Sequence, residues 1–162
     1  MAIDVGDKVP GANLLQIGAD GPESVALGDK LAGRNVIIFA LPGAFTGTCT
    51  SAHVPSFMRN MDALAAKGVD EVICISVNDP FVMQAWGEST GATAAGITML
   101  GDAASEFTLA MGKEFSAPPV GFDNRSTRYA MHVVDGVVKV LHAEESPGVC
   151  EASGGEAMVA AI

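Results

Sequence analysis

An α/β fold of three layers, a central mixed β-sheet flanked by helices, follows from the order of apolar patterns in the chain. Two apolar runs, 36–41 and 72–77, the second interrupted only by Ser76, lack strict alternation, which suits strands covered on both faces. Each is followed by a segment of helical spacing, so the two strands lie parallel in the sheet. Residues 129–134 and 137–142 form two further strands joined by Asp135-Gly136, a pair that accepts the left-handed backbone of a tight hairpin.

Taken in order, residues 1–30 form an opening loop and a short hairpin, with Gly18-Ala-Asp-Gly-Pro22 turning between strands 13–17 and 24–27 at an edge of the sheet. Residues 31–35 turn the chain into strand 36–41. From Cys49 to Lys67, Val54, Phe57, Met58, Met61, Leu64 and Ala65 fall on one helical face; Pro55 bends this helix and Gly68 stops it. After strand 72–77, Asn78-Asp79-Pro80 caps a helix over 81–89, in which Trp86 anchors the core. Small residues 91–96 lead to strand 97–100, ended by Gly101-Asp102, and a helix over 105–111 closes at Gly112. Residues 113–127, punctuated by Pro118-Pro119 and Gly121, read as a loop before the hairpin. A polar loop at 143–148 then passes through Cys150 to a last helix, 155–162. The order β-α-β-α followed by an antiparallel hairpin is that of a thioredoxin-like fold, and residues 1–162 read as one domain without repeat or linker.

Composition narrows the function. Apolar residues make up 49% of the chain and charged ones 17%, the balance of a well-buried domain. Lys+Arg number 9 against 19 Asp+Glu, a net charge of −10 with no basic stripe, which argues against nucleic acid as a partner. No apolar run reaches the ~18 residues of a membrane span, and Met1-Ala-Ile-Asp4 does not begin a secretory signal, so a cytoplasmic location is expected. The three cysteines, Cys49, Cys74 and Cys150, are odd in number and widely spaced, which points to thiol chemistry rather than a disulfide framework or a zinc site. His132 and His142 sit in strands without a ligand cluster, and no metal or cofactor is assigned.

Cys49 lies where strand 36–41 gives way to the helix. Free N–H groups and the positive end of the helix dipole favour an anion there, making Cys49 a candidate thiolate nucleophile. Thr46, three residues earlier, can bring its hydroxyl beside the sulfur and to a bound oxygen substrate. Pro42 stiffens and shields the approach. Position 46 is not cysteine, so the dithiol exchange motif is absent.

The residues Pro42-Gly-Ala-Phe-Thr46-Gly-Thr-Cys49, with Arg128 on a later strand, resemble the active site of the peroxiredoxins. His53, Pro55 and Cys74-Ile-Ser-Val-Asn-Asp-Pro80-Phe-Val-Met narrow the resemblance to the type II, or peroxiredoxin-five, group, and it extends from Gly6-Asp-Lys-Val-Pro10 to the C-terminal helix. It implies a thiol-dependent peroxidase for hydrogen peroxide and organic hydroperoxides, re-reduced by glutaredoxin and glutathione or by thioredoxin, and a homodimer. By the same resemblance Cys49 is the peroxidatic cysteine, Thr46 the hydroxyl partner, Pro42 the shielding proline and Arg128 the guanidinium, with Arg125 a nearby competitor. An always-charged guanidinium stabilises both a thiolate and the negative oxygen that leaves when an O–O bond breaks.

Gly47 stands where the family often has proline, a replacement that loosens the loop. Cys74 matches the second cysteine of plant-type members, and Cys150 falls near the resolving cysteine of animal-type members. Cys150, in a loop after Ser146-Pro-Gly148, is the better placed to move, so it is the favoured resolving residue, with Cys74 or an external thiol as alternatives. His53, one turn after Cys49, reads as an orienting or surface histidine. The competing functional class is a peroxide-sensing redox switch that passes a mixed disulfide to a partner protein.

Overall fold

The computed structural model describes residues 2–162. Its strands are β1 (Asn13–Gly18), β2 (Gly21–Ala26), β3 (Asn35–Leu41), β4 (Glu71–Ser76), β5 (Thr98–Gly101), β6 (Glu114–Ala117), β7 (Phe122–Ser126), β8 (Tyr129–Val134) and β9 (Val137–Ala143). Seven of them form one mixed sheet in the order β2-β1-β5-β4-β3-β8-β9, while β6 and β7 make a separate ribbon. β3, β4 and β5 are parallel, and antiparallel strands border them on both sides. The helices are α1 (Leu27–Leu31), α2 (Val54–Ala66), α3 (Pro80–Thr90), α4 (Glu106–Met111) and α5 (Gly155–Ala161).

The central strands bury both faces, and alternation divides their side chains between two cores. From β3, Val36, Ile38 and Ala40 join Leu27, Leu31, Phe107 and Met111 beneath α1 and α4. Ile37, Phe39 and Leu41 face the other way, into a cluster with Phe57, Leu64, Trp86 and Met158 from α2, α3 and α5. This arrangement is the expected three-layer, thioredoxin-like one. The Asp135-Gly136 hairpin also forms as expected, with φ values of 48° and 76° at its two turn residues.

Three expectations need correction. Residues 113–127 are not simply a loop, because β6 and β7 pair across the 3-10 turn Pro118–Val120. Leu27 does not end a strand but opens the five-residue α1, whose Leu27 and Leu31 are buried. Pro55 does not bend an established helix: it lies in the first turn of α2, preceded by a π-helical turn over Cys49–His53. In that turn the Val54 N–H donates to the Cys49 carbonyl five residues back, and the wider ring falls just ahead of the proline, which has no N–H to donate.

Strand register brings the distant parts of the site together. β3 runs antiparallel to β8 with Ala40 opposite Tyr129. Arg128, one residue before Tyr129, therefore lies beside the end of β3, where the chain leaves the sheet for Cys49.

Candidate active site

The segment after β3 is held from both sides. Pro42 is buried, and its carbonyl accepts a hydrogen bond from Arg125 Nη1 at 3.0 Å. The Ala44 N–H donates to Asn78 Oδ1 at 3.0 Å, tying the loop to the residues that precede α3. Phe45 has a φ of 63°, an uncommon left-handed conformation for a large side chain, and lies mostly in solvent. Beyond it the chain enters the helical turn: the Thr50 N–H reaches the Thr46 carbonyl at 3.1 Å, and Thr50 Oγ1 accepts from Trp86 Nε1 at 3.1 Å.

Cys49 is 1% exposed, and its Sγ accepts a hydrogen bond from Arg128 Nη2 at 3.1 Å. Arg128 is itself buried and spreads its donors over three partners. Nη2 and Nε both reach the Pro147 carbonyl, at 3.0 and 3.3 Å, and Nη1 lies 2.9 Å from His53 Nδ1. A guanidinium only donates, so Nδ1 presents its lone pair and the proton of the neutral ring sits on Nε2. That nitrogen donates to the Ser153 carbonyl at 3.0 Å. Burial, reinforced by the Arg128 charge, brings the His53 pKa down from 6.5 to about 3, despite the opposing hydrogen bond to Ser153.

The site residues expected from sequence fare differently. Arg128, not Arg125, meets the sulfur; Arg125 instead braces the Pro42 carbonyl and stacks on Phe122, 4.8 Å from the ring centre. Thr46 does not give its hydroxyl proton to Cys49. Thr46 Oγ1 donates to the Gly43 carbonyl at 2.7 Å, a short local bond within the turn, which leaves its lone pairs as the available function. Gly47 is exposed at the start of the helical turn, and its carbonyl accepts from Ser51 Oγ at 2.8 Å. His53 is no surface histidine: it is fully buried, with its ring centre 5.0 Å from that of Phe39 and 5.7 Å from that of Phe57. Cys49, His53 and Phe57 recur every four residues, and that spacing was the sequence signal that His53 shares the inward face of the helix. Ser153 and Pro147 act through main-chain carbonyls, which no side-chain pattern discloses.

All three cysteines are free. Cys74 sits fully buried in β4, opposite Phe39 of β3, in the same apolar cluster as Cys49. Burial pushes its thiol pKa well up, and Arg128 offsets this only in part. Cys150 is half-buried in the segment between β9 and α5, and burial raises its thiol as well. That segment packs on the site: besides the Pro147 bonds, Thr48 Oγ1 donates to the Gly148 carbonyl at 3.0 Å. Glu144 Oε2 closes the segment on itself, accepting from the Glu151 N–H at 2.9 Å, the Ser153 N–H at 2.7 Å and Ser153 Oγ at 2.5 Å. Burial opposes the Glu144 charge, but these donors outweigh it and hold the carboxyl below its ordinary range.

Known proteins resemble the chain over nearly its whole length. The Redoxin family profile matches residues 4–159. Peroxiredoxin-2E-2, chloroplastic, from Oryza sativa subsp. japonica is 46% identical over 164 residues, covering 99% of this chain and 72% of the relative. The structure of reduced Prx3 in complex with H2O2 from Vibrio vulnificus superposes with a TM-score of 0.90 at 42% identity, covering 98% of each chain. Peroxiredoxin 5 from Alvinella pompejana gives a TM-score of 0.84 at 32% identity, over 98% of this chain and 96% of that one.

Proposed function

The chain belongs to the peroxiredoxins of the type II, or peroxiredoxin-five, group and is a thiol-dependent peroxidase, and on that premise we propose that Cys49 is the residue that attacks the peroxide. The observation that carries this assignment is the 3.1 Å bond from Arg128 Nη2 to Cys49 Sγ, made between two buried side chains. The Cys49 thiolate attacks one oxygen of hydrogen peroxide or of an organic hydroperoxide. An S–O bond forms as the O–O bond breaks, and the electron pair leaves on the second oxygen, which takes up a proton to become water or alcohol. Sulfur loses two electrons and becomes a sulfenic acid. Arg128 stabilises the thiolate and the charge on the departing oxygen. The lone pairs of Thr46 Oγ1 accept the peroxide's O–H, because the hydroxyl's own proton is held by the Gly43 carbonyl. Pro42, buried and braced by Arg125, shields the sulfur from water.

Cys150 resolves the intermediate. Its thiolate attacks the Cys49 sulfur, a disulfide forms, and the sulfenic oxygen leaves with a proton as water. Cys74 is the less suited partner, locked in a central strand with a raised thiol pKa. The disulfide is returned to thiols by glutaredoxin and glutathione or by thioredoxin. The reading places the chain in the cytoplasm, where three free cysteines suit a reducing environment. It also makes the chain a homodimer. Phe45, Phe81 and Val120 are each more than half exposed, and the Ala44–Asn78 bond joins the loop that carries Phe45 to the residues just ahead of Phe81, so exposed apolar side chains are available to a second copy.

Peptide mapping under non-reducing conditions after one equivalent of hydrogen peroxide tests the scheme. A Cys49–Cys150 disulfide is expected. A Cys49–Cys74 disulfide, or a mixed disulfide with added glutathione alone, would transfer the resolving role, and an unmodified Cys49 would contradict the assignment itself.

A further inference from the structure

Arg128 has to be held in place by the protein, since it is 1% exposed and water cannot solvate it. Among the described residues no carboxylate lies within ion-pair distance of it. Its side-chain partners are Cys49 and His53, and its other acceptor is the Pro147 carbonyl. A neutral acceptor has a specific use here. A carboxylate would fix the guanidinium equally well but would neutralise the charge that the sulfur and the leaving oxygen need. The imidazole lone pair fixes Nη1 and leaves the charge available. The ring is positioned in turn by the aromatic faces of Phe39 and Phe57, which are themselves stacked 4.2 Å apart.

The far side of the ring reaches the segment that carries Cys150. His53 Nε2 donates to the Ser153 carbonyl, and Ser153 is fully buried and gripped by Glu144. The start of α5 is pinned beside it: the Gly155 N–H donates to Ser56 Oγ at 2.9 Å, and Ser56 Oγ donates to the His53 carbonyl at 2.7 Å. A side chain at position 155 would overlap the Ser56 carbonyl, so glycine permits this approach.

We propose that His53 is a positioning residue: its Nδ1 fixes Arg128 against Cys49, and its Nε2–H ties that arginine to the Ser153 carbonyl of the Cys150 segment. The inference rests on Cys49 being the attacking residue and goes beyond that assignment. The sulfur's hydrogen-bonding partner and the resolving thiol's segment share one buried imidazole, so releasing the segment loosens Arg128.

Two substitutions separate the two halves of the ring's role. His53→Leu removes both bonds, whereas His53→Asn places Oδ1 where Nδ1 was, keeping an acceptor for Arg128 and losing the reach to Ser153. Two rates are read on the reduced full chain: single-turnover oxidation of Cys49 by hydrogen peroxide, and alkylation of Cys150 by iodoacetamide, followed by peptide mass. His53→Leu is expected to slow oxidation about 10- to 100-fold, the loss of one bond to a charged group, and to speed Cys150 alkylation severalfold. His53→Asn is expected to recover most of the oxidation rate while Cys150 alkylation stays fast. Oxidation at the parental rate in His53→Leu, or equal slowing in both variants, would overturn the role toward Arg128. Parental alkylation in His53→Asn would overturn the tie to the Cys150 segment, and this arm decides alone if circular dichroism shows His53→Leu unfolded. Cys49→Ser run alongside separates the two claims: if it keeps full activity, the assignment of Cys49 fails, and if it is inactive while both His53 variants behave as parent, only the positioning role fails.

Discussion

Cys49 and Cys74 occupy the same apolar cluster and are equally hidden from water, yet their surroundings suit them to opposite uses. Cys74 stands in the middle of a parallel strand pair, with Phe39 as its cross-strand neighbour, and burial drives its thiol toward the protonated form. Cys49 stands just beyond the end of the sheet, where the antiparallel register of β3 and β8 delivers Arg128 to within hydrogen-bonding distance of the sulfur. A buried thiol becomes a nucleophile only where the fold brings it an unneutralised cation. The ends of the strands can supply one and their middles cannot, because a charged side chain in the middle of this sheet would be sealed between two apolar cores.

The comparison breaks most sharply on exchange of sulfur for oxygen. Cys49→Ser should reduce peroxide consumption to the uncatalysed background, whereas Cys74→Ser should retain the parental rate within about twofold, followed as loss of hydrogen peroxide with excess dithiothreitol. Removing the cation is the next largest effect. Arg128→Gln should lower the rate of Cys49 oxidation roughly 10²- to 10³-fold, the scale seen when a donor to a developing oxyanion is deleted. Cys74→Ser should instead appear in stability, costing about 1–3 kcal/mol in urea unfolding because its hydroxyl would be buried in a core strand.

A smaller effect separates the two settings by pH. His53 is held neutral in the fold, with a pKa of about 3 against 6.5 when free, so between these values the unfolded chain binds a proton that the folded chain refuses. Stability from this source is fully present above pH 6.5 and is lost as pH falls toward about 3. Urea midpoints at pH 7 and pH 5 should show the parent losing on the order of 2 kcal/mol more than His53→Asn over that interval. Smallest of all, Arg125→Ala should slow peroxide reduction only a few-fold, since it loosens one bond to the Pro42 carbonyl and leaves Arg128 untouched.

Much of this was legible in the sequence, for physical reasons that also explain what was not. β3 and β4 announce themselves because strands buried on both faces must be apolar throughout, and the Asp135-Gly136 turn because few residue pairs accept two left-handed conformations. β6 and β7 were hidden by Pro118, Pro119 and Gly121, which break any strand pattern between them. The π-helical turn at Cys49–His53 is a change of hydrogen-bond register that leaves composition unaltered. Cys49, Pro42 and Arg128 belong to a recognisable motif, and β3–β8 pairing brings them together. The acceptor of the Thr46 hydroxyl proton, the Gly43 carbonyl, is a main-chain atom that no side-chain pattern discloses. The four-residue spacing from Cys49 through His53 to Phe57 discloses the inward face of His53, but its partner, the Ser153 carbonyl ahead of α5, comes from the far end of the chain and is not encoded locally.

The most direct test of the contrast between the two buried thiols is trapping of the first oxidation product. Reduced Cys150→Ser protein, which cannot pass its sulfenic acid to the favoured resolving thiol, is mixed with one equivalent of hydrogen peroxide and excess dimedone, and the labelled peptide is identified by mass. The adduct should form on Cys49, with Cys74 unmodified. An adduct on Cys74 with Cys49 still reduced would contradict the claim that Arg128 selects the reactive sulfur.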